Sequence, residues 1–291
     1  MTGARSRTTA ESSVSSSRRC AVLGSPIAHS LSPVLHRAGY RAAGLGWSYD
    51  AHEVTESTLG AFLDGLDDTW RGLSLTMPLK RTVVPLLDEL STRAAQAQAA
   101  NTVILEGGRR VGHNTDIPGA AAALRERWSG PVERSVILGG GATAASTLLA
   151  LADLGCREVT LVVRDEARAR ETLDAARRHP APPAVQLRGF DAAAVTADVL
   201  VSTIPAAAQS EAVVRLAAEV SVVFDVTYDP WPTPLAAFAR SERCILVSGL
   251  DLLVHQAAEQ FTLMTGLADA PVDAMREAGE QALTNRASQS G

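Results

Sequence analysis

The sequence predicts an α/β protein made of two units, and three features carry that expectation. Short apolar runs rich in Val, Ile and Leu alternate with Ala/Leu-rich helical stretches. The alternation breaks at Ser129-Gly130-Pro131 and then starts again. The restart opens with a strand that runs into a glycine-rich turn and then a helix. A length of 291 residues agrees, at about 150 residues per domain.

Residues 1–18 hold six Ser, three Thr, three Arg and no aromatic side chain, so they bury no core and are predicted to be a disordered extension. A Ser/Arg-rich segment with one acid also fits an organellar transit peptide, but the bacterial-looking composition favours a plain extension. Ordered chain is expected from Arg19. Cys20-Ala21-Val22-Leu23 reads as a buried strand ended by Gly24, Ser25 and Pro26. Ser32-Pro33 reads as N-cap and first turn of a helix with Val34, Leu35, Ala38 and Ala42 on its apolar stripe. A strand at Trp47–Ala51, a helix at Ser57–Leu66 and a strand at Gly72–Thr76 continue a pattern that favours a mostly parallel, helix-covered sheet. Thr102–Leu105 and Arg110–His113, joined by Glu-Gly-Gly-Arg, form an expected hairpin.

Asp116-Ile-Pro-Gly opens a helix to about Trp128. Beyond the break, strands are expected at Ser135–Leu138, Val159–Val163, Val185–Arg188, Val199–Ile204, Val222–Val226 and Cys244–Val247, with helices between most of them. From Gly249 a long helix carries Leu250, Leu253, Ala257, Phe261 and Met264 on one face, and a last helix spans Val272–Thr284. The expected domains are 19–116, completed by the C-terminal helices at 250–285 packing back on it, and 117–249.

Composition excludes several classes. A net charge of −5 and a pI near 5.7 leave no basic field for nucleic acid or an anionic membrane. No apolar run approaches the roughly 20 residues of a membrane span. Cys20, Cys156 and Cys244 are far apart and form no CxxC, which suits a reduced, cytoplasmic protein. The six histidines have no ligand-like spacing, so no metal is expected, and the absence of G-x-S-x-G disfavours a hydrolase. Of 27 basic residues only Lys80 is a lysine. A guanidinium stays charged at any working pH, whereas an ammonium can exchange its proton, so this one position invites a chemical reading.

Val136-Ile-Leu-Gly139-Gly140-Gly141-Ala142-Thr143-Ala144 is a strand, a G-x-G-x-x-A turn and a helix, the context of a Rossmann-type dinucleotide site. Gly139 allows the tight turn, Gly141 lets backbone approach a pyrophosphate, Ala144 permits close helix packing, and free N–H groups attract the phosphates. At the end of the next strand Arg164, with Arg168 one turn on, favours NADP over NAD, while Asp165 and Glu166 pull the other way. These two acids also read as complements to a helix start.

Gly24-Ser-Pro-Ile-Ala-His29-Ser30-Leu-Ser32-Pro33, Leu75-Thr76-Met-Pro78-Leu-Lys80, Ala100-Asn101-Thr102 and Gly112-His-Asn114-Thr115-Asp116 follow one another in order. With the glycine turn, Asp225-x-x-Tyr228, and Gly249-Leu250 before Gln256, they make the chain resemble the shikimate dehydrogenase family over about residues 20–285. The resemblance implies NADP-dependent, reversible reduction of 3-dehydroshikimate to shikimate in aromatic amino-acid biosynthesis, by a monomer or homodimer. It implies substrate binding by Ser30, Ser32, Thr76, Lys80, Asn101, Asp116, Tyr228 and Gln256, with Lys80 and Asp116 as the catalytic pair and Gly249 beside the cofactor. Short polar side chains suit a small carboxylate with three hydroxyls.

Plainer roles exist for several of these residues. Ser32 reads as an N-cap, Asp116 as a helix cap ahead of Pro118, Tyr228 as a core residue with a polar tip, and Gln256 as the solvent-facing flank of its helix. The chain also departs from the family pattern. Ser74 stands where Asn is common, Ile117-Pro118 where Gly follows, Val163 and Asp165 flank Arg164, and Ser202-Thr203-Ile204-Pro205 replaces Asn-Ala-Thr. These leave open a quinate or aminoshikimate dehydrogenase, and a binding or regulatory protein without turnover.

Overall fold

The computed structural model describes residues 17–191 and 195–290. Residues 1–16 of the expected extension lie outside the described residues. Ser17 and Arg18 are already tied down, donating to the carbonyls of Gly46 and Asp68, so the ordered chain begins before Arg19.

The first sheet holds β1 (Arg19–Gly24), β2 (Ser48–Glu53), β3 (Trp70–Leu75), β4 (Glu89–Leu90), β5 (Thr102–Glu106) and β6 (Arg109–His113). Their order is β2-β1-β3-β5-β6-β4. β1 lies parallel to β2 and β3, while the β5–β6 hairpin runs antiparallel beside β3. Between them run α1 (Ser32–Ala42), α2 (Leu59–Asp64), α3 (Leu79–Thr82) and α4 (Thr92–Ala97), and α5 (Asp116–Arg127) leads to the second sheet.

That sheet is parallel throughout. It comprises β7 (Arg134–Leu138), β8 (Glu158–Val162), β9 (Ala184–Arg188), β10 (Ala197–Ser202), β11 (Val220–Asp225) and β12 (Ile245–Ser248), in the order β12-β11-β10-β7-β8-β9. The helices are α6 (Ala142–Asp153), α7 (Arg170–Arg177), α8 (Glu211–Arg215) and α9 (Pro234–Ser241), then α10 (Gly249–Thr265) and α11 (Val272–Ser290). Strand order reverses between β7 and β10, where doubly wound sheets open a crevice for ligands.

α10 joins the two halves. Leu250, Val254, Ala257, Phe261 and Met264 pack with Cys20, Val22 and Leu35 under the first sheet, whereas Leu252 enters the core of the second. Burying Phe261 completely is worth about 1.5–3 kcal/mol by itself. A capping box fixes the helix start: the Ser248 hydroxyl accepts from the backbone of Asp251, whose carboxylate accepts from the Ser248 backbone. Asp251 is also gripped by Arg127 and Arg276 at 2.8 and 2.7 Å, which fastens α10 to α5 and α11.

The expected elements are present with shifted ends. The strand foreseen at Trp47–Ala51 runs to Glu53, that at Val199–Ile204 stops at Ser202, and the last helix continues past Thr284 to Ser290. β4 and α4 had no counterpart in the sequence reading, because two residues make no alternation and Thr92–Ala97 is too short to show a stripe. Ser32 is not an N-cap. Leu31 takes that position with helical dihedrals and no side-chain cap bond, so Ser32 sits inside the first turn and its hydroxyl is left for other partners.

Candidate active site

A cleft of about 730 Å³ opens at the carboxyl ends of the parallel strands of both sheets. It is lined by all eight residues foreseen for substrate: Ser30, Ser32, Thr76, Lys80, Asn101, Asp116, Tyr228 and Gln256. Thr143 and Gly249 from the foreseen dinucleotide set reach the same cleft.

Lys80 lies in the single turn of α3, just after β3, and Asp116 is the first residue of α5, where the helix dipole favours a carboxylate. Lys80 Nζ donates to Asp116 Oδ2 at 2.6 Å. Their side chains are 15% and 6% exposed, so the pair is largely shielded from water and its attraction correspondingly strong. Asp116 caps no helix: the N-cap position is Thr115 without a side-chain bond, and Asn114 Oδ1 takes the Ile117 N–H at 3.3 Å. The carboxylate is thereby left for Lys80 and for Asn101, whose Nδ2 donates to Oδ1 at 2.9 Å and to Gln256 Oε1 at 3.3 Å. Gln256 is buried toward Asn101, which rules out the solvent-facing role.

Ser30 and Ser32 meet at the start of α1, where the Ser32 N–H reaches Ser30 Oγ at 3.3 Å. Thr76 is held by its N–H bond to the Leu23 carbonyl at 2.9 Å. Tyr228 is half-buried, and burial pushes its phenol above the ordinary range, so it stays a neutral donor. Its loop is anchored by Asp225, which is fully buried and accepts from Gln209 Nε2 at 2.8 Å and Thr233 Oγ1 at 2.6 Å.

The glycine turn leaves β7 at the strand reversal. Gly139 has φ +106°, and a Cβ there would lie 2.5 Å from Thr203 Oγ1, so only glycine fits. The Gly140 carbonyl is pinned by Thr172 Oγ1 at 2.9 Å. Gly141 is the N-cap of α6 with no side-chain cap bond, and a Cβ added to it would meet nothing within 4 Å. A helix start with uncapped N–H groups and open space above it fits a pyrophosphate. Ala142 and Thr143 begin α6, and Ala144 is fully buried against the sheet. Arg164 is exposed at the end of β8. Asp165 is engaged with its own turn, taking the Ala167 N–H at 2.9 Å, and so serves the local fold as foreseen. The side chain of Arg168 lies outside the described residues. No cluster of His, Cys, Asp or Glu fit to hold a metal occurs among the described residues.

Sequence reasoning missed Gln260 and Tyr49. Gln260 is fully buried, lines the cleft and bonds Ser74 Oγ at 2.8 Å, and the Tyr49 hydroxyl bonds the same Ser74 at 2.6 Å. The i,i+4 spacing of Gln256 and Gln260 was the available signal, since it puts both amides on one helix face.

An uncapped helix start suited to a phosphate near the cleft and an ammonium–carboxylate pair facing it fit one class of protein, the two-domain α/β dinucleotide oxidoreductases. A family model for the shikimate dehydrogenase substrate-binding domain matches residues 22–103, and one for the shikimate 5'-dehydrogenase C-terminal domain matches residues 249–278. The chain is 34% identical over 269 residues to the shikimate dehydrogenase (NADP(+)) of Desulfitobacterium hafniense (strain Y51), covering 90% of this chain and 97% of that one. The crystal structure of Mycobacterium tuberculosis shikimate dehydrogenase superposes with TM-score 0.83 at 40% identity, over 91% of this chain and 99% of that one. The Thermus thermophilus shikimate 5-dehydrogenase in complex with NADP(H) and shikimate gives TM-score 0.79 at 31% identity, over 91% and 99%. The chain belongs to the shikimate dehydrogenase family.

Proposed function

We propose that this protein catalyses the reversible, NADP-dependent reduction of 3-dehydroshikimate to shikimate in aromatic amino-acid biosynthesis. The observation that carries the reading is the Lys80–Asp116 pair, 2.6 Å apart, facing a cleft that also receives the glycine-turn helix. Residues 19–116 with 250–285 would bind the substrate, and 117–249 the dinucleotide.

When bound, the dinucleotide supplies the hydride. As the carbonyl carbon becomes tetrahedral, negative charge develops on its oxygen, and the Lys80 ammonium beside it stabilises that charge and gives up a proton to form the hydroxyl. In the oxidative direction neutral Lys80 takes the hydroxyl proton. Asp116 orients Lys80 and accepts from a ring hydroxyl, while Asn101 and Gln256 take further hydroxyls. Ser30 and Ser32 hold the carboxylate at the start of α1, with Thr76 and Tyr228 closing the ring. Gly139–Ala144 and Gly249 cradle the dinucleotide, with Arg164 and Arg168 toward the 2′-phosphate. The protein would act as a monomer or a homodimer. No helix among the described residues is long and apolar enough to cross a membrane, in keeping with a cytoplasmic enzyme.

The test is nicotinamide absorbance during oxidation of shikimate, with NADP and NAD, and with quinate in parallel. NADP-dependent turnover of shikimate, abolished in a folded Lys80→Ala variant, is the expected result. Turnover of quinate alone would overturn the substrate assignment, and no hydride transfer with any pair would overturn the enzymatic reading.

A further inference from the structure

We propose that Thr102 and Gln260 are positioning residues that hold the Asn101 amide in the orientation the Lys80–Asp116 pair requires. This rests on the catalytic reading of that pair. An asparagine amide presents nearly the same shape either way round, so its neighbours decide which end faces Asp116. Asn101 is buried, and only its NH2 end can serve Asp116 Oδ1 and Gln256 Oε1, both acceptors. A flipped amide would set oxygen against oxygen at both contacts.

The opposite end of the amide is fixed by donors. Asn101 Oδ1 accepts from the Thr115 N–H at 2.8 Å and from Thr102 Oγ1 at 3.0 Å. A threonine hydroxyl has one proton, and its direction here is set from behind. Gln260 Nε2 donates to Thr102 Oγ1 at 3.0 Å and to the Asn101 carbonyl at 3.2 Å, so the Thr102 proton is left for Asn101. Gln260 is itself oriented by its oxygen, which accepts from Ser74 Oγ at 2.8 Å and meets His36 Nε2 at 3.2 Å. Ser74 in turn accepts from the Tyr49 hydroxyl at 2.6 Å. Donors therefore all point one way, from Tyr49 through Ser74, Gln260, Thr102 and Asn101 to Asp116 Oδ1. Lys80 holds the other carboxylate oxygen. Aligned bonds in a dry interior polarise one another, and one reversed member unsettles the rest. Tyr49, Thr102 and Gln260 are all 1% exposed or less.

Thr102→Val keeps the shape and removes the hydroxyl, and Thr102→Ser keeps the hydroxyl. In shikimate oxidation, kcat of the valine variant is expected to fall about five- to tenfold with KM changed less than threefold, and the serine variant to stay within twofold of wild type. Gln260→Leu should lower kcat similarly, with no added loss in the Thr102→Val/Gln260→Leu double variant. The Asn101 side-chain amide signals in a 15N–1H spectrum provide a readout free of turnover, and should move in Thr102→Val but not in Thr102→Ser. Equal losses in the valine and serine variants, or a valine variant matching wild type in kcat and in the Asn101 signals, would overturn the proposal, even if Gln260→Leu does not fold. Lys80→Ala run alongside separates the two ideas: if it retains turnover, the pair itself has been misread.

Discussion

Gly119 stands so close to Gln256 that a Cβ added to it would lie 2.8 Å from both the Cβ and the backbone nitrogen of Gln256. Gly119 is one turn along α5 from Asp116, and Gln256 is the α10 residue that accepts from Asn101. This contact sets how deeply α10 settles on α5, and with it the spacing of Asp116, Asn101 and Gln256. Gly119→Ala is therefore expected to push the helices apart by several tenths of an ångström. Overpacking of this kind costs about 1–3 kcal/mol. The expected outcome is a lower Tm together with a rise of several-fold in KM for shikimate. A variant with wild-type KM and stability would show that the interface yields without moving the site.

Much of this arrangement was legible before the structure. The order of motifs named the family, and the eight side chains foreseen for substrate do line one cleft. Residues whose signal is a local pattern, such as the Gly139–Ala144 turn, were found by that pattern. Ser32 was misplaced as a cap because a Ser-Pro pair reads the same whether the helix begins at it or one residue before it. Gln260 had only its spacing from Gln256 to mark it, and neither Thr102, though it stands in the Ala100-Asn101-Thr102 motif, nor Tyr49 carried any sign of its partners. Their importance lies in bonds between distant elements, up to 224 residues apart in the Gln260–His36 case. No spacing rule in one sequence encodes such a partner.

The Lys80–Asp116 pair separates charge from proton exchange. Lys80→Arg keeps a cation beside Asp116, yet a guanidinium does not give up its proton at working pH. Turnover is expected to fall by about 10²–10⁴, the usual worth of general acid–base catalysis, while shikimate still binds. Asp116→Asn leaves the ammonium without its counter-charge and should lower kcat and raise KM together. Steady-state kinetics with calorimetric binding of shikimate checks both. An arginine variant with near wild-type kcat would assign Lys80 to charge stabilisation alone.

Arg164 is the exposed cation at the end of β8, and Asp165 beside it is occupied with the Ala167 N–H. With its carboxylate engaged there, Arg164 can serve a 2′-phosphate with less opposition from Asp165. Arg164→Gln is expected to raise KM for NADP about tenfold, roughly 1.4 kcal/mol, and to change KM for NAD less than twofold. Parallel kinetics with the two dinucleotides measure this. Equal changes for both would place Arg164 against the adenine instead of the phosphate.

His36 gives stability a dependence on pH that the substrate site does not explain. It is fully buried, stacked on Tyr49 with ring centroids 4.1 Å apart, and burial lowers its pKa to about 4 from 6.5. The unfolded chain takes up this proton first, so the contribution of neutral His36 is complete above about pH 6.5 and is lost as pH falls toward 4. At about 1.4 kcal/mol per unit, it amounts to about 3 kcal/mol at most. Asp251 acts lower on the scale. Burial pushes its carboxyl up, but Arg127, Ser248 and Arg276 outweigh that and leave it below its ordinary value. Its contribution is present above the usual carboxylate range and disappears only in stronger acid. Denaturant midpoints taken from pH 7 to pH 4.5 should therefore decline for the wild type. In His36→Phe, which keeps a ring on Tyr49 but cannot titrate, the decline should be much flatter. Parallel curves for the two proteins would mean that His36 does not control acid stability in this window.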